Sequence, residues 1–276
     1  RAEAYDCKWG ARGINGDVLL QLGAARANTE AISPSRYAAA YRVRFDESTP
    51  TGTVRTSALL RYAQDVAWIH SDALGFDRDW YAERSLTWLV RAAEVEVLRP
   101  IPMGSTLTAT TEVVGHRKVW ARRRGEFRLA DGVLAATVIT DWVMVDARGR
   151  PARVPGVIEA RFPAPPMNEG LMRVELVETP PSAARRAFAV RPQELDPVGH
   201  ANNGVYLDWL EESVLAADPS AAAALVALPR RYRLDYAGSA GAGAQLESVT
   251  WQMGDGWSYR LRTADGAELL RGRLDL

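Results

Sequence analysis

The sequence predicts an α+β fold in which one unit, a long helix combined with an antiparallel β-sheet, occurs twice in tandem. Three observations carry that expectation. The segment "TSALLRYAQDVAWIHSDALG" (56–75) sets Leu59, Tyr62, Ala63, Val66 and Ile69 at helical spacing, which gives one broad apolar face. Four strand-like segments separated by turn residues follow it. The pattern then restarts: residue n set against residue n + 147 pairs Val43 with Val190, Glu47 with Glu194, Pro50 with Pro197, Gly52 with Gly199 and Leu60 with Leu207.

In chain order, residues 1–36 read as an extension with little bearing on function. The sequence opens on Arg1, so its start is expected to be truncated or processed, and it lacks the apolar core and basic head of a signal peptide. "YRVRF" (41–45) reads as a strand, and Gly75 as the stop of the helix after it. "LTWLVRAAEVEVLRP", "STLTATTEVVGH", "KVWARRRGEFRL" and "VLAATVITDWVMVD" then read as strands broken at Pro100, Gly104, Gly115 and the turn at 130–132. The Asp-Gly pair makes "RLADGVLAA" a hairpin. The last strand is almost wholly apolar, as a central strand covered on both faces would be. The first unit is therefore placed at 37–160, a Pro-rich linker at 161–185 and the second unit at 186–276. In that second unit Arg191 repeats Arg44, while Phe188 and Trp209 answer Tyr41 and Tyr62. After an eight-residue deletion, Gly243 and Leu246 answer Gly104 and Leu107, and "TADGA" (263–267) answers "LADGV".

Composition narrows the function. The 276 residues carry 34 Lys+Arg against 34 Asp+Glu, a balance that gives no reason to expect nucleic-acid or anionic-membrane binding. Cys7 is the only cysteine, which rules out an intrachain disulfide or a Cys-cluster metal site and suits a reducing, cytoplasmic setting. The apolar runs are too short to span a bilayer.

The repeat is informative where it fails. In "ELDPVGHANNGVYLDWLEES" (194–213), Asp196 takes the slot of Thr49 and His200 that of Thr53, while the backbone-shaping Pro and Gly are shared. A scaffold needs its turn residues twice, but chemistry needs its groups once. That places one active site in the second half. Asn202 or Asn203 is the expected N-cap of a helix running to about Ala217. The unpaired first N–H groups of that helix, with the positive end of its dipole, favour a developing oxyanion. Asp196 is then positioned to attack or to activate water, and His200 to donate. The local alternative is that His200 is a cap and Asp-Pro a turn opener. His70 is expected at a helix C-terminus or lining a pocket, and His116 in a solvated turn. No pair among the three histidines has metal-ligand spacing, so no metal or cofactor is expected.

"LDPVGHANNGVYLDWLEES" resembles the second-domain motif of acyl-ACP thioesterases, in which Asp-x-Asn-x-His-x-Asn-Asn precedes a helix with Tyr and Trp. "LLRYAQDVAWIHSDALGF", "LTWLVRAAEVEVLRPIPMGSTLTATTEV" and "DWVMVDARGRPARVP" resemble the first domain of the same family, so the likeness spans roughly 40–276. It implies two hotdog domains and release of fatty acid from acyl carrier protein. It also carries the family aspartate onto Asp196 and the histidine onto His200. The intervening asparagine falls on Val198, a glutamate in a Tyr-Arg-x-Glu context falls on Asp235, and a cysteine falls on Tyr236. The chemistry implied is therefore carboxylate-driven: Asp196 as nucleophile or general base, His200 orienting or protonating, Asp235 positioning water. Donors around Asn203 and Gly204 would hold the oxyanion, beside Tyr236. The acyl chain is expected in the first domain near Leu59, Trp68 and Trp88. Acyl carrier protein is acidic, so docking is expected on Arg117, Lys118, Arg122 and Arg124 with Arg230 and Arg231. An acyl-CoA thioesterase and a non-catalytic acyl-binding protein are the alternatives. A chain with two such domains forms its own pseudo-dimer, which allows a monomer or a homodimer.

Overall fold

The computed structural model describes residues 33–276. Cys7 and the rest of the expected extension up to residue 32 lie outside the described residues, while Arg36 already belongs to β1. The elements are β1 (Arg36–Arg42), α1 (Thr56–Ala73), α2 (Arg78–Glu83), β2 (Leu86–Val97), β3 (Thr106–Arg117), β4 (Trp120–Arg128), β5 (Leu134–Asp146) and α3 (Gly156–Arg161). The second half supplies β6 (Ala184–Ala189), α4 (Asn203–Ala217), β7 (Arg230–Tyr236), β8 (Gln245–Met253), β9 (Gly256–Thr263) and β10 (Glu268–Asp275). The expected strand at 41–45 lies earlier, because Phe45–Glu47 forms a 3-10 turn in which Glu47 accepts the Arg44 N–H at 3.2 Å. The short α2 and α3 carry no long periodic face, which is why periodicity does not reveal them.

The ten strands form one antiparallel sheet in the order β1-β3-β4-β5-β2-β7-β10-β9-β8-β6. The order is a palindrome of the two halves, with β2 and β7 joined at its centre, where Glu94 pairs with Arg233. These two residues are equivalent under the repeat, since 94 + 147 less the eight-residue deletion is 233. The helices α1 and α4 pack side by side against one face of the sheet. There Arg61 meets Asp208 at 2.8 Å, and 61 + 147 is 208. Both equivalent pairs mark a pseudo-twofold axis.

The helix stop at Gly75 is a left-handed cap (φ +90), with Gly75 N–H donating to Asp72 O at 2.9 Å and Phe76 N–H to Ser71 O at 3.0 Å. One apolar core runs through both halves beneath α1 and α4. A second cluster, including Phe76, Tyr81, Val113, Met144 and Phe162, closes the far end of the first half.

The segment after α3 straps across the opposite, outer face of the sheet. Met167 lies so close to Gly115 that a Cβ there would sit 2.1 Å from the Met167 Cγ. Further along, Gly170 O accepts from Arg122 at 3.2 Å and Met172 N–H donates to the buried Asp141 carboxylate at 2.6 Å.

Candidate active site

The two halves share one loop geometry ahead of their long helices. In the first, Thr49 N–H donates to Thr53 O at 2.7 Å and Gly52 N–H to Thr49 O at 2.9 Å. In the second, Asp196 N–H donates to His200 O at 2.8 Å and Gly199 N–H to Asp196 O at 2.9 Å. Gly52 and Gly199 take φ of +76° and +84°, so glycine is required in both. Glu47 and Glu194 anchor the loops by accepting from the equivalent Tyr62 hydroxyl and Trp209 Nε1.

This turn brings the side chains at its two ends together. Residues paired across a short ladder project from the same face, and Thr49 and Thr53 indeed have their hydroxyls 3.1 Å apart. The same frame carries Asp196 and His200. Asp196 is half-buried, and its Oδ1 accepts the Val198 N–H at 2.9 Å, while His200 and Val198 are exposed. No hydrogen bond to the His200 ring is recorded among the described residues.

Asn202 is the N-cap of α4: its side chain accepts the Gly204 N–H at 2.9 Å. That cap occupies the Gly204 donor, which corrects the expectation that Gly204 holds an oxyanion. Gly204 instead permits the helices to touch, since a Cβ there would lie 3.0 Å from Ser57 O and 3.0 Å from Arg61 Cγ. The Asn203 N–H, at the first position of the helix, has no intrahelical partner. Asn203 is held from both sides: its amide donates to Gln64 Oε1 of α1 at 2.9 Å, and its carbonyl accepts the Tyr236 hydroxyl at 2.9 Å. Tyr236 is buried, and burial holds its hydroxyl well above the usual tyrosine range. Tyr206, beside the Ala240 backbone and Asp196, is likewise pushed up to about 12 by burial.

Asp235 does not join this group. Along β7, Tyr232, Leu234 and Tyr236 belong to the core beneath the helices, so Arg231, Arg233 and Asp235 project from the outer face. There Asp235 pairs with Arg91, the extra residue of a bulge in β2, and with Arg173 of the strap at 3.3 Å. It is a buried ion-pair partner on the face of the sheet opposite the helices and the Asp196–His200 turn.

The expected acyl-binding residues are also dispersed. Leu59 is fully buried in the main core, Trp68 is 46% exposed, and their offset of nine positions places them on opposite sides of α1. Trp88 packs in the second cluster and donates to the Tyr81 hydroxyl at 3.0 Å.

The basic residues do not form one surface. Arg122 is held by Asp141 at 2.6 Å and Glu169 at 3.0 Å, and Arg124 by Glu126 at 2.6 Å. Arg231 pairs with Glu96 at 2.7 Å, and Arg230 donates to Thr56 Oγ1 at 3.3 Å. Register puts Arg230 opposite Val97, but Trp120 at the level of Leu89. The Arg117–Lys118 turn before Trp120 and Arg230 thus sit at opposite ends of the sheet, separated by roughly 26 Å of strand, whereas Arg124 is level with Glu94, two positions along the strand from the level of Arg231. Arg117 and Lys118 are exposed and line a cleft of about 290 Å³ with Val119 and Trp120, at the end where β7 leads into the Ala240 loop. A second cleft of about 130 Å³ is lined by Arg186, Phe188, Arg191, Glu194 and Trp209 among others. His116, expected in a solvated turn, is half-buried with Nδ1 3.9 Å from Glu159.

Gln64 and Tyr206 are site residues that sequence reasoning missed. Gln64 offers no local signal, because its role depends on α4 lying beside α1. Tyr206 lies in the quoted motif, but only its position in the first turn and a half of α4 ties it to Asp196. Among the described residues, no group of three His, Cys, Asp or Glu converges as a metal site, and no helix is long and apolar enough to cross a membrane.

Comparison with known proteins matches residues 34–161 to the acyl-ACP thioesterase N-terminal domain and residues 178–269 to the C-terminal domain. A palmitoyl-acyl carrier protein thioesterase of Cuphea hookeriana is 26% identical over 258 residues, covering 85% of this chain and 60% of the relative. An oleoyl-acyl carrier protein thioesterase of Coriandrum sativum is 23% identical over 184 residues, covering 59% of this chain and 49% of the relative. The chain thus spans about 60% or less of the length of these curated relatives. Among solved structures, an acyl-ACP thioesterase from Bacteroides thetaiotaomicron superposes with a TM-score of 0.73 at 15% identity, covering 88% of this chain and 98% of that one. A 12:0-ACP thioesterase from Umbellularia californica superposes at 0.71 and 20% identity, covering 87% and 96%. The shared architecture is the double hotdog fold.

Proposed function

Because the chain belongs to the acyl-ACP thioesterase family, we propose that it hydrolyses fatty acyl-ACP to free fatty acid and the carrier thiol. One observation carries this reading: two halves share a turn built by the same hydrogen bonds, and only the second places a carboxylate and an imidazole on it. In the proposed reaction the thioester carbonyl lies at the tip of α4. Asp196 draws a proton from a water that attacks the carbonyl carbon, or attacks it directly to give a mixed anhydride that water then cleaves, releasing the fatty acid and restoring the carboxylate. The oxyanion that forms is stabilised by the Asn203 N–H and the helix dipole, a contribution of ~3 kcal/mol for one such donor. His200 supplies a proton to the departing thiolate. Gln64 and Tyr236 act as positioning residues that keep Asn203, and so its N–H, aimed at the carbonyl. Asp235 has no role in the step.

Asp196→Asn and His200→Ala should each abolish release of fatty acid from acyl-ACP while the far-ultraviolet circular dichroism stays unchanged. Full turnover by Asp196→Asn would end this mechanism.

Docking of the acidic carrier reduces to Arg117 and Lys118, the exposed cations at the reactive end of the sheet. KM for acyl-ACP should then rise with added salt and in Arg117→Glu/Lys118→Glu. A KM indifferent to both would remove the docking assignment. The single cysteine favours a reducing compartment such as the cytoplasm. The engagement of Asp235 by two arginines is the one observation that favours a non-catalytic acyl-binding protein, and the hydrolysis assay decides between the two.

A further inference from the structure

The two long helices meet along matching stripes. Arg61 pairs with Asp208 at 2.8 Å, the Asn203 amide donates to Gln64 at 2.9 Å, and the Thr56 hydroxyl donates to Glu211 at 3.0 Å. The repeat offset of 147 turns Thr56 into Asn203 and Gln64 into Glu211, so the last two contacts are one contact made twice. Each helix thus holds the first residue of the other, and the two run antiparallel. The stripe on α1 continues through Trp68, one turn beyond Gln64 and about 6 Å further along the axis. The stripe on α4 continues likewise through Leu215, the repeat partner of Trp68.

No residue of α4 stands opposite Trp68, because α4 begins at Asn203, which Gln64 already holds. That is why the indole is 46% exposed, and Leu215 38% exposed, although both lie on the stripe between the helices. The space that Trp68 flanks is the one into which the Asn203 N–H points, since the first donors of a helix project along its axis. Ser33 meets His70, two positions further on and so roughly 200° round the helix. The approach to β1 therefore lies on the other side of α1. The Asp196–His200 turn that leads into α4 adds Val198, 65% exposed. An indole from the first half and an isopropyl group from the second thus form an open apolar lip at the α4 tip.

A thioester whose carbonyl meets that N–H carries two chains away from it. A fatty chain is stabilised in proportion to the apolar surface removed from water, and a lip open to solvent does not enclose it. The thiol arm of the carrier alternates amides with methylene and methyl groups. It can lay its apolar atoms on the indole and keep its amides in water. The carrier side also lies in this direction. Arg117 and Lys118 precede β4, and His70 in the last turn of α1 meets Arg123, three residues after Trp120, so the C-terminal half of α1 leads toward them.

We propose that Trp68, a residue of the first half, holds the amide-linked thiol arm of the carrier beside the α4 tip, so that thioesters bearing this arm are preferred over those of short thiols. The proposal rests on the hydrolytic reading above. Wild-type kcat/KM for S-octanoyl-pantetheine should exceed that for S-octanoyl-mercaptoethanol ~10-fold, the worth of the apolar area that an indole face covers. Trp68→Ala should lose this ratio through a raised KM for the pantetheine thioester, and Trp68→Phe should keep most of it. Leu215→Ala, the equivalent change beside the Thr49–Thr53 turn, should leave the ratio intact, which separates the arm from the pairing of the helices. A second measurement needs no turnover. Calorimetric titration of wild type should show S-octyl-pantetheine, a thioether, binding ~10-fold tighter than S-octyl-mercaptoethanol, and this margin should vanish in Trp68→Ala. A margin in Trp68→Ala equal to that of wild type overturns the proposal, as does equal wild-type affinity for the two thioethers or an equal loss in Leu215→Ala. Failure to hydrolyse any thioester counts against the hydrolase alone, and the titration still judges Trp68.

Discussion

Asp235 offers a sharp test of how this sheet divides structure from chemistry. Its side chain is 4% exposed and faces the Arg91 guanidinium at 26% and that of Arg173 at 51%. Asp235→Asn keeps the shape but removes the charge, leaving Arg91 without its counter-ion. Breaking a fully buried pair costs ~3–5 kcal/mol. Both arginines reach solvent, so screening reduces this to roughly 1–3 kcal/mol. For a chain of this size, 1 kcal/mol shifts Tm by about 2–4 °C, so the variant should melt several degrees lower. The Asp196–His200 turn lies on the other face and is untouched. Thermal denaturation followed by circular dichroism, with kcat for acyl-ACP measured well below the transition, separates the two effects. The expected result is a lowered Tm with kcat within a few-fold of wild type. A kcat reduced a hundredfold at unchanged Tm would refute the assignment and return Asp235 to the active site.

Two further outcomes follow from the interior of the first half and from the helix contact. His70 is fully buried and its pKa is lowered to about 4 by burial and by Arg123, against ~6.5 in the unfolded chain. The unfolded state therefore takes up the extra proton first, and stability falls as pH drops from ~6.5 to ~4, by up to about 3 kcal/mol. Urea midpoints measured across that range should show the loss, and His70→Asn should flatten it; an unchanged slope would refute the assignment. Gly204→Ala places a Cβ 3.0 Å from Ser57 O and Arg61 Cγ, which should cost ~1–3 kcal/mol by overpacking. It should also lower kcat by displacing the tip of α4, whereas wild-type stability and kcat together would contradict the close approach.

The scaffold was the most legible part of the sequence. Pairs such as Glu47/Glu194 and Gly52/Gly199 specify the same turns twice, because local backbone geometry depends on local residues. Asp196 and His200 stood out for the same reason, as departures from a repeated frame. Asp235 was misplaced although a signal was present: in "RRYRLDY" the apolar Tyr232, Leu234 and Tyr236 alternate with charged residues, and that alternation puts the carboxylate on the outer face. Leu59 and Trp68 were grouped by hydrophobicity, although nine positions along a helix amount to a half-turn of opposition. Arg122 and Gln64 could not be read at all. Their partners Asp141 and Asn203 arrive through tertiary contacts, and no sequence window contains them.

The meeting of Arg61 with Asp208 bears on whether the chain could be divided. Because these are one site counted twice, a half detached and doubled on itself would set arginine against arginine, or aspartate against aspartate. Self-association of either fragment is thereby discouraged, while recombination of the unlike fragments is favoured. The charges make the two modules complementary mates, so a liberated second half would depend on the first for cohesion.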